Sequence, residues 1–237
     1  MNVRPLWGFG GKAMARTTVI AFEGIDGSGK TVQLYHLERS LKKRGMLVET
    51  MSFPVYGSFF GREVGNYLTG AHGVAANDVD GKSMSLWFAL DRFEAFGNYC
   101  DGNADVLLIN RYVLSNAVYQ SIRDCDLDKP DLLDFVLELE HNHFCIPRAH
   151  AHVVLDVNIE EAGANIFRKG YREYTGNSKD LYESQANLQR RARAKYLEYS
   201  KLLNNIFVVP CMDGSKMKSE TDIAILVEET LFRNGIL

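Results

Sequence analysis

Five short apolar segments alternate with helix-length amphipathic ones. This predicts an α/β protein built on one parallel five-stranded sheet with helices on both faces. A second observation supports it: a glycine-rich turn at residues 24–31 sits between the first strand-like and the first helix-like segment. A third is bulk. The chain has 237 residues, 46% hydrophobic and 24% charged, enough for one large α/β domain with a substantial core.

The elements follow in order. Residues 17–23 (TTVIAFE) are apolar and β-branched, as in a strand buried on both faces. Residues 30–44 place Leu34, Leu37 and Leu41 at helical spacing and end at Gly45, a C-cap signal. Residues 46–53 (MLVETMSF) read as the next strand, closed by Pro54. A long helix is predicted over 79–100, carrying SLWFALDRFEAF, and a buried strand over 104–110 (ADVLLIN). Residues 131–144 have an amphipathic helical pattern. Strands at 152–157 and 205–210 complete the five, and 221–232 is a closing helix. Residues 168–179 (RKGYREYTGNSK) are polar and charged, and are expected to form a mobile lid. Residues 1–16 read as a flexible leader without the apolar stretch of a signal peptide, and Met14 is an alternative start. Residues 17–237 are expected to form a single domain.

Several classes of function lose support at this level. Net charge is −3, so there is no broad electrostatic case for binding nucleic acid or an anionic membrane. A small anionic substrate would need a local basic pocket instead. No apolar run approaches the ~20 residues of a membrane span. Cys100, Cys125, Cys145 and Cys211 form no C-x-x-C pair, so a zinc site is unsupported. Four histidines (141, 143, 150 and 152) lack metal spacing and read as surface or core. A reduced, intracellular protein is the expectation.

The sharpest motif is Gly24-Ile25-Asp26-Gly27-Ser28-Gly29-Lys30-Thr31, which fits G-x-x-x-x-G-K-[ST] after a strand and before a helix. The glycines let backbone N–H groups converge on phosphate oxygens, and the helix start adds its positive dipole end. Lys30 reaches the β- and γ-phosphates, while Thr31 offers a hydroxyl to Mg²⁺. A three-layer P-loop NTPase fold and an NTP site follow. No N-K-x-D motif is present, which argues against a GTPase switch.

The remaining motifs resemble those of the thymidylate kinase family. EGIDGSGKT (23–31) is similar to that family's phosphate loop, Asp26 included. SFPVYG (52–57) is similar to its Phe-Pro loop, LWFALDR (86–92) to the segment supplying a stacking Phe and a phosphate-binding Arg, RYVLSNAVYQ (111–120) to its D-R-Y segment, and KDLYE (179–183) to the far side of its lid. The five run in family order from about residue 17 to 210. The resemblance implies transfer of a phosphoryl group from ATP, with Mg²⁺, to dTMP by a cytoplasmic homodimer that uses no nucleic acid or membrane partner.

It also implies roles for particular residues. Arg92 and Arg111 would hold the monophosphate, and arginine's planar fork suits two oxygens; either also suits an ion pair. Phe88 shares a helical face with Arg92 and would stack on the base, or else belong to the core. Asn116 and Tyr119, one turn apart, would read thymine and exclude a ribose 2′-OH, although Asn116 also suits a helix cap. Phe53 and Tyr56 would wall the monophosphate pocket, and Asp26 would meet the sugar or the metal shell. Gly27 and Ser28 are not basic, so the transition-state arginine would come from the lid, Arg168 or Arg172. The chain departs from the family at Asn110, where Asp is usual. That puts metal or phosphate positioning in question, with Asp26, Glu23 or Glu183 as compensating carboxylates. Val32 stands where Ser or Thr is usual.

Two rival readings are a deoxynucleoside kinase and a non-catalytic nucleotide-binding paralogue. The first needs a general base after the second strand, where Phe53-Pro54-Val55 offers no carboxylate. The second rests on Asn110 alone.

Overall fold

A computed structural model describes residues 16–71, 73–124, 129–168 and 179–237. All but the last residue of the expected leader, and residues 169–178 of the expected lid, lie outside the described residues.

The main sheet has five strands: β1 (Thr18–Glu23), β2 (Val48–Ser52), β3 (Val106–Asn110), β4 (Ala151–Asp156) and β5 (Ile206–Pro210). Their order is β2-β3-β1-β4-β5 and every pairing is parallel. The central strands β1, β3 and β4 are buried along almost their whole length, which is why they read as continuous apolar runs rather than alternating ones. β2 lies at an edge and is exposed at three of its five positions, matching its mixed sequence VETMS.

Helices cover both faces. α1 (Lys30–Lys43) buries Leu34, Leu37 and Leu41 and packs with the closing helix α8 (Glu220–Arg233). α3 (Gly81–Ala95), α4 (Val113–Asp124), α5 (Leu133–Leu137) and α7 (Lys179–Tyr199) form the other packed group, with α4 touching each of the rest. α6 (Ile159–Arg168) leads from β4 towards the lid. Side-chain caps start several helices: the Asp80 carboxylate accepts from Ser83 N–H at 3.1 Å, and Ser219 Oγ accepts from Asp222 N–H at 3.1 Å.

Two elements differ from expectation. α2 (Phe59–Thr69) was not legible, because FFGREVGNYLT carries two glycines in its interior; Ser58 nucleates it by accepting from Gly61 N–H at 3.0 Å. The expected helix over 131–144 is α-helical only to Leu137 and continues as a π-helical turn over Glu138–His143. A short antiparallel hairpin, Met212–Asp213 with Lys216–Met217, precedes α8.

Candidate active site

The site lies where β1 and β3, adjacent in the sheet, send their following loops off the C-terminal edge of the strands. The loop after β1 is the phosphate loop. Gly24, Gly27 and Gly29 all have positive φ. At Gly27 the need for glycine is double, since a Cβ there would run into the Ala162 carbonyl on α6. The Lys30 ammonium lies across the loop, donating to the carbonyls of Gly24 (3.0 Å) and Ile25 (2.8 Å). Ser28 is fully buried and its Oγ has no partner among the described residues, a polar atom left for a ligand in a cradle of backbone amides. Thr31 sits exposed in the first turn of α1. No cluster of three His, Cys, Asp or Glu side chains among the described residues holds a metal by itself. A hydroxyl beside a phosphate cradle, with few carboxylates, suits Mg²⁺, which is commonly bound largely through substrate phosphates and water.

The loop after β3 meets the phosphate loop directly. Arg111 has φ +62°, a strained value for a non-glycine residue, and its guanidinium pairs with Asp26. The Arg111 guanidinium also lies 5.5 Å from the centre of the Tyr119 ring. Gln189 on α7 closes the group: it accepts from Tyr119 Oη (3.1 Å) and from Asp26 N–H (3.0 Å), and donates to Asp26 Oδ2 (3.2 Å). Burial opposes charge on Arg111, but Asp26 and the neighbouring tyrosines outweigh it and hold the guanidinium well above its usual range. Burial pushes Tyr119 up to about 12, so it remains a neutral phenol.

A second cluster joins α3, α4 and the π-helical turn. Arg92 is 2% exposed. Its Nε and Nη2 donate to the two Glu140 carboxylate oxygens at 2.5 and 2.6 Å, a bidentate pair. Glu140 is fully buried and also accepts from Asn116 Nδ2 at 2.8 Å; the second Nδ2 hydrogen goes to the Ser85 carbonyl at 3.0 Å. Asn116 is therefore inside α4 and caps nothing. Phe53 is buried in the core, against Phe96 and Tyr112, and its ring also faces Arg92 at 5.8 Å. Phe88 is half-buried on α3 and Tyr56 is 55% exposed.

Glu23, the last residue of β1, is fully committed to structure. It accepts from the Tyr112 (3.0 Å) and Ser115 (3.3 Å) amides, the Ser115 hydroxyl and Tyr196 Oη (3.1 Å), with His152 3.8 Å away. It is thus not an available metal ligand to make up for Asn110. Asn110 Nδ2 donates to Ser52 Oγ at 3.1 Å, while its Oδ1 is buried without a partner among the described residues. The Glu183 side chain and Arg172 lie outside what is described. Arg168 is exposed at the end of α6, bonded to Asn165 (3.0 Å) and 3.8 Å from Glu161. The cysteines at 100, 145 and 211 are free thiols, and Cys125 is outside the described residues.

Sequence reasoning missed Glu140, Gln189 and Asp91. Asp91 is buried and ties the Phe-Pro loop to α3 by accepting from Val55 N–H at 3.1 Å and Ser58 Oγ at 3.3 Å. For Glu140 a signal existed: it falls four residues after Val136, on the stripe that buries Leu132, Leu133 and Val136. A carboxylate on an apolar face implies a buried partner. Gln189 sits in a polar helix and gave none.

The family model for thymidylate kinase matches residues 22–222. The chain belongs to the thymidylate kinase family. A thymidylate kinase of Mycobacterium tuberculosis is 34% identical over 184 residues, covering 76% of this chain and 84% of its own. A probable thymidylate kinase of Thermococcus onnurineus is 28% identical over 227 residues, covering 90% and 98%. Among solved structures, a thymidylate kinase from Candida albicans superposes with a TM-score of 0.66 over 93% of both chains at 18% identity, which is a likeness of fold. Membership of the family makes this chain a phosphotransferase, and Asp26, Arg92, Arg111, Asn116 and Tyr119 of the two clusters lie on the segments that carry the family's motifs.

Proposed function

We propose that the chain transfers the γ-phosphoryl group of ATP to dTMP in the crevice between the β1 and β3 loops, with the following division of labour. The observation that carries it is the Asp26–Arg111 pair, which joins the donor loop to the acceptor side across the sheet's C-terminal edge. The phosphate loop amides and Lys30 bind the β- and γ-phosphates, and Lys30 exchanges its two loop carbonyls for phosphate oxygens when ATP enters. Thr31 would hold Mg²⁺, which would supply charge neutralisation for the phosphates. Arg111 receives the acceptor phosphate. A monophosphate is already anionic near neutral pH, so no general base is required.

Arg92 was expected to hold the monophosphate with Arg111, but its Nε and Nη2 are committed to the Glu140 carboxylate beside Asn116. Arg92 is therefore assigned with Asn116 and Phe88 to the base end of the pocket, with Tyr119 near the sugar. Arg168 or Arg172 arrives from the lid to meet the charge that develops on the transferred group. The protein acts in the cytoplasm as a homodimer. The dimer reading is supported by Leu86 and Phe93 on α3, seven residues apart and so on one helical face, both exposed.

The test is Arg111→Ala. One lost charge-assisted contact is about 1.5–3 kcal/mol, so dTMP should bind roughly 10–100-fold more weakly while ATP changes little. Equal losses for both nucleotides would overturn the assignment.

A further inference from the structure

Asn116 has three polar hydrogen-bonding positions, and two are spent. Both Nδ2 hydrogens are taken, by the Glu140 carboxylate at 2.8 Å and the Ser85 carbonyl at 3.0 Å. Its Oδ1 is buried with no partner among the described residues. The amide cannot be turned over, because Oδ1 would then face two acceptors, one of them a full carboxylate. What fixes it is Glu140. This carboxylate is itself held rigid by the bidentate Arg92 pair, at 2% and 0% exposure, on the π-helical turn that follows α5.

We propose that Glu140 is a positioning residue that sets the polarity of base recognition. It locks the Asn116 amide so that only a carbonyl oxygen is left to read the base. This rests on the reading that Asn116 faces the acceptor base and adds what decides the direction of its bond. A lone acceptor pairs with a ring N–H donor. Thymine and uracil carry one at N3, whereas cytosine presents a lone pair at that position, which would be set against Oδ1. The ligand class is therefore an imide-bearing pyrimidine deoxynucleotide, and the 5-methyl group plays no part in this discrimination. Glutamine at 140 has one oxygen in place of two. In the native pair Oε1 accepts from both Arg92 Nη2 and Asn116 Nδ2, and Oε2 from Arg92 Nε. A Gln amide sets its N–H groups against Arg92 Nε in one placement, and against Arg92 Nη2 and Asn116 Nδ2 in the other; the second placement turns the Asn116 amide to present Nδ2 instead.

The experiment measures kcat/KM for dTMP, dCMP and dTMP methylated at N3, in the wild type, Glu140→Gln and Glu140→Asp, with KM for ATP as the internal control. The expected wild type prefers dTMP over both other acceptors. Glu140→Gln should lower the dTMP-to-dCMP ratio by at least about tenfold, the scale of one mispaired buried group, with KM for ATP within about twofold. Glu140→Asp keeps the charge on a shorter arm and should fall between, at about threefold or more. A folded Glu140→Gln whose ratio stays within about twofold of wild type overturns the proposal and leaves Asn116 as the reader. If Glu140→Gln does not fold, the Asp variant decides by the same criterion. A wild type that accepts the N3-methylated nucleotide as well as dTMP overturns the reading of Asn116 itself, and the proposal with it.

Discussion

Replacing Glu23 by Gln tests how the two loops of the site are held in register. Glu23 ends β1 immediately before the phosphate loop, and its carboxylate binds the Tyr112 and Ser115 amides at the start of the loop–α4 segment that carries Arg111. Burial opposes the charge, but the His152 contact and the bonds from Ser115 and Tyr112 outweigh it, and the carboxyl lies below its ordinary value of 4.5. Gln keeps the shape, loses the charge and sets an N–H against one group of donors. Each charge-assisted bond contributes about 1.5–3 kcal/mol, and loss of one or two gives a destabilisation of about 1.5–6 kcal/mol. In a domain of this size that lowers Tm by roughly 3–24 °C, since about 1 kcal/mol moves Tm by 2–4 °C.

The pH profile has a defined sign. A depressed carboxyl pKa gives stability that is present above the unfolded value and lost as pH falls through the folded one. Wild type should therefore lose this increment below about pH 4.5, where Glu23→Gln should show a flatter curve. Thermal and urea unfolding between pH 3 and 8, scored as midpoints, make the comparison. A Tm within about 2 °C of wild type at neutral pH would refute the argument.

Other substitutions separate the roles. Lys30→Ala should lower kcat by at least about 100-fold with the far-UV circular dichroism spectrum unchanged, because it removes a donor to the transferring phosphate; activity within tenfold of wild type defeats the phosphate-loop assignment. Single Arg168→Ala and Arg172→Ala variants should show one that loses kcat far more than affinity for either nucleotide, the signature of a contact made in the transition state. Unchanged kcat in both places that charge elsewhere.

The fold was legible because its signals are periodic. β1, β3 and β4 are buried on both faces, so TVIAFE and VLLIN show as unbroken apolar runs, and Leu34, Leu37 and Leu41 mark the buried stripe of α1. The phosphate loop was legible because backbone approach to phosphate demands glycine at set positions. α2 was hidden because its stability comes from Ser58 and packing on α3 rather than from its own glycine-containing sequence.

Within the site, motif residues could be named but their partners could not. The Arg92–Glu140 pair joins residues 48 apart in the chain, and Asp26–Gln189 joins residues 163 apart. Local spacing carries no record of such contacts. Asn110 shows the limit from the other side: its neutral amide was visible, yet the commitment of Glu23 to Tyr112, Ser115 and Tyr196 emerged only from the fold.

The most direct measurement of the central claim is turnover of the purified full chain with ATP and Mg²⁺ against a panel of monophosphate acceptors. ADP formation should depend on dTMP, with dTMP favoured over dCMP, dGMP and UMP. A purine monophosphate or UMP as the best acceptor, or no ADP formed with any of them, would contradict it.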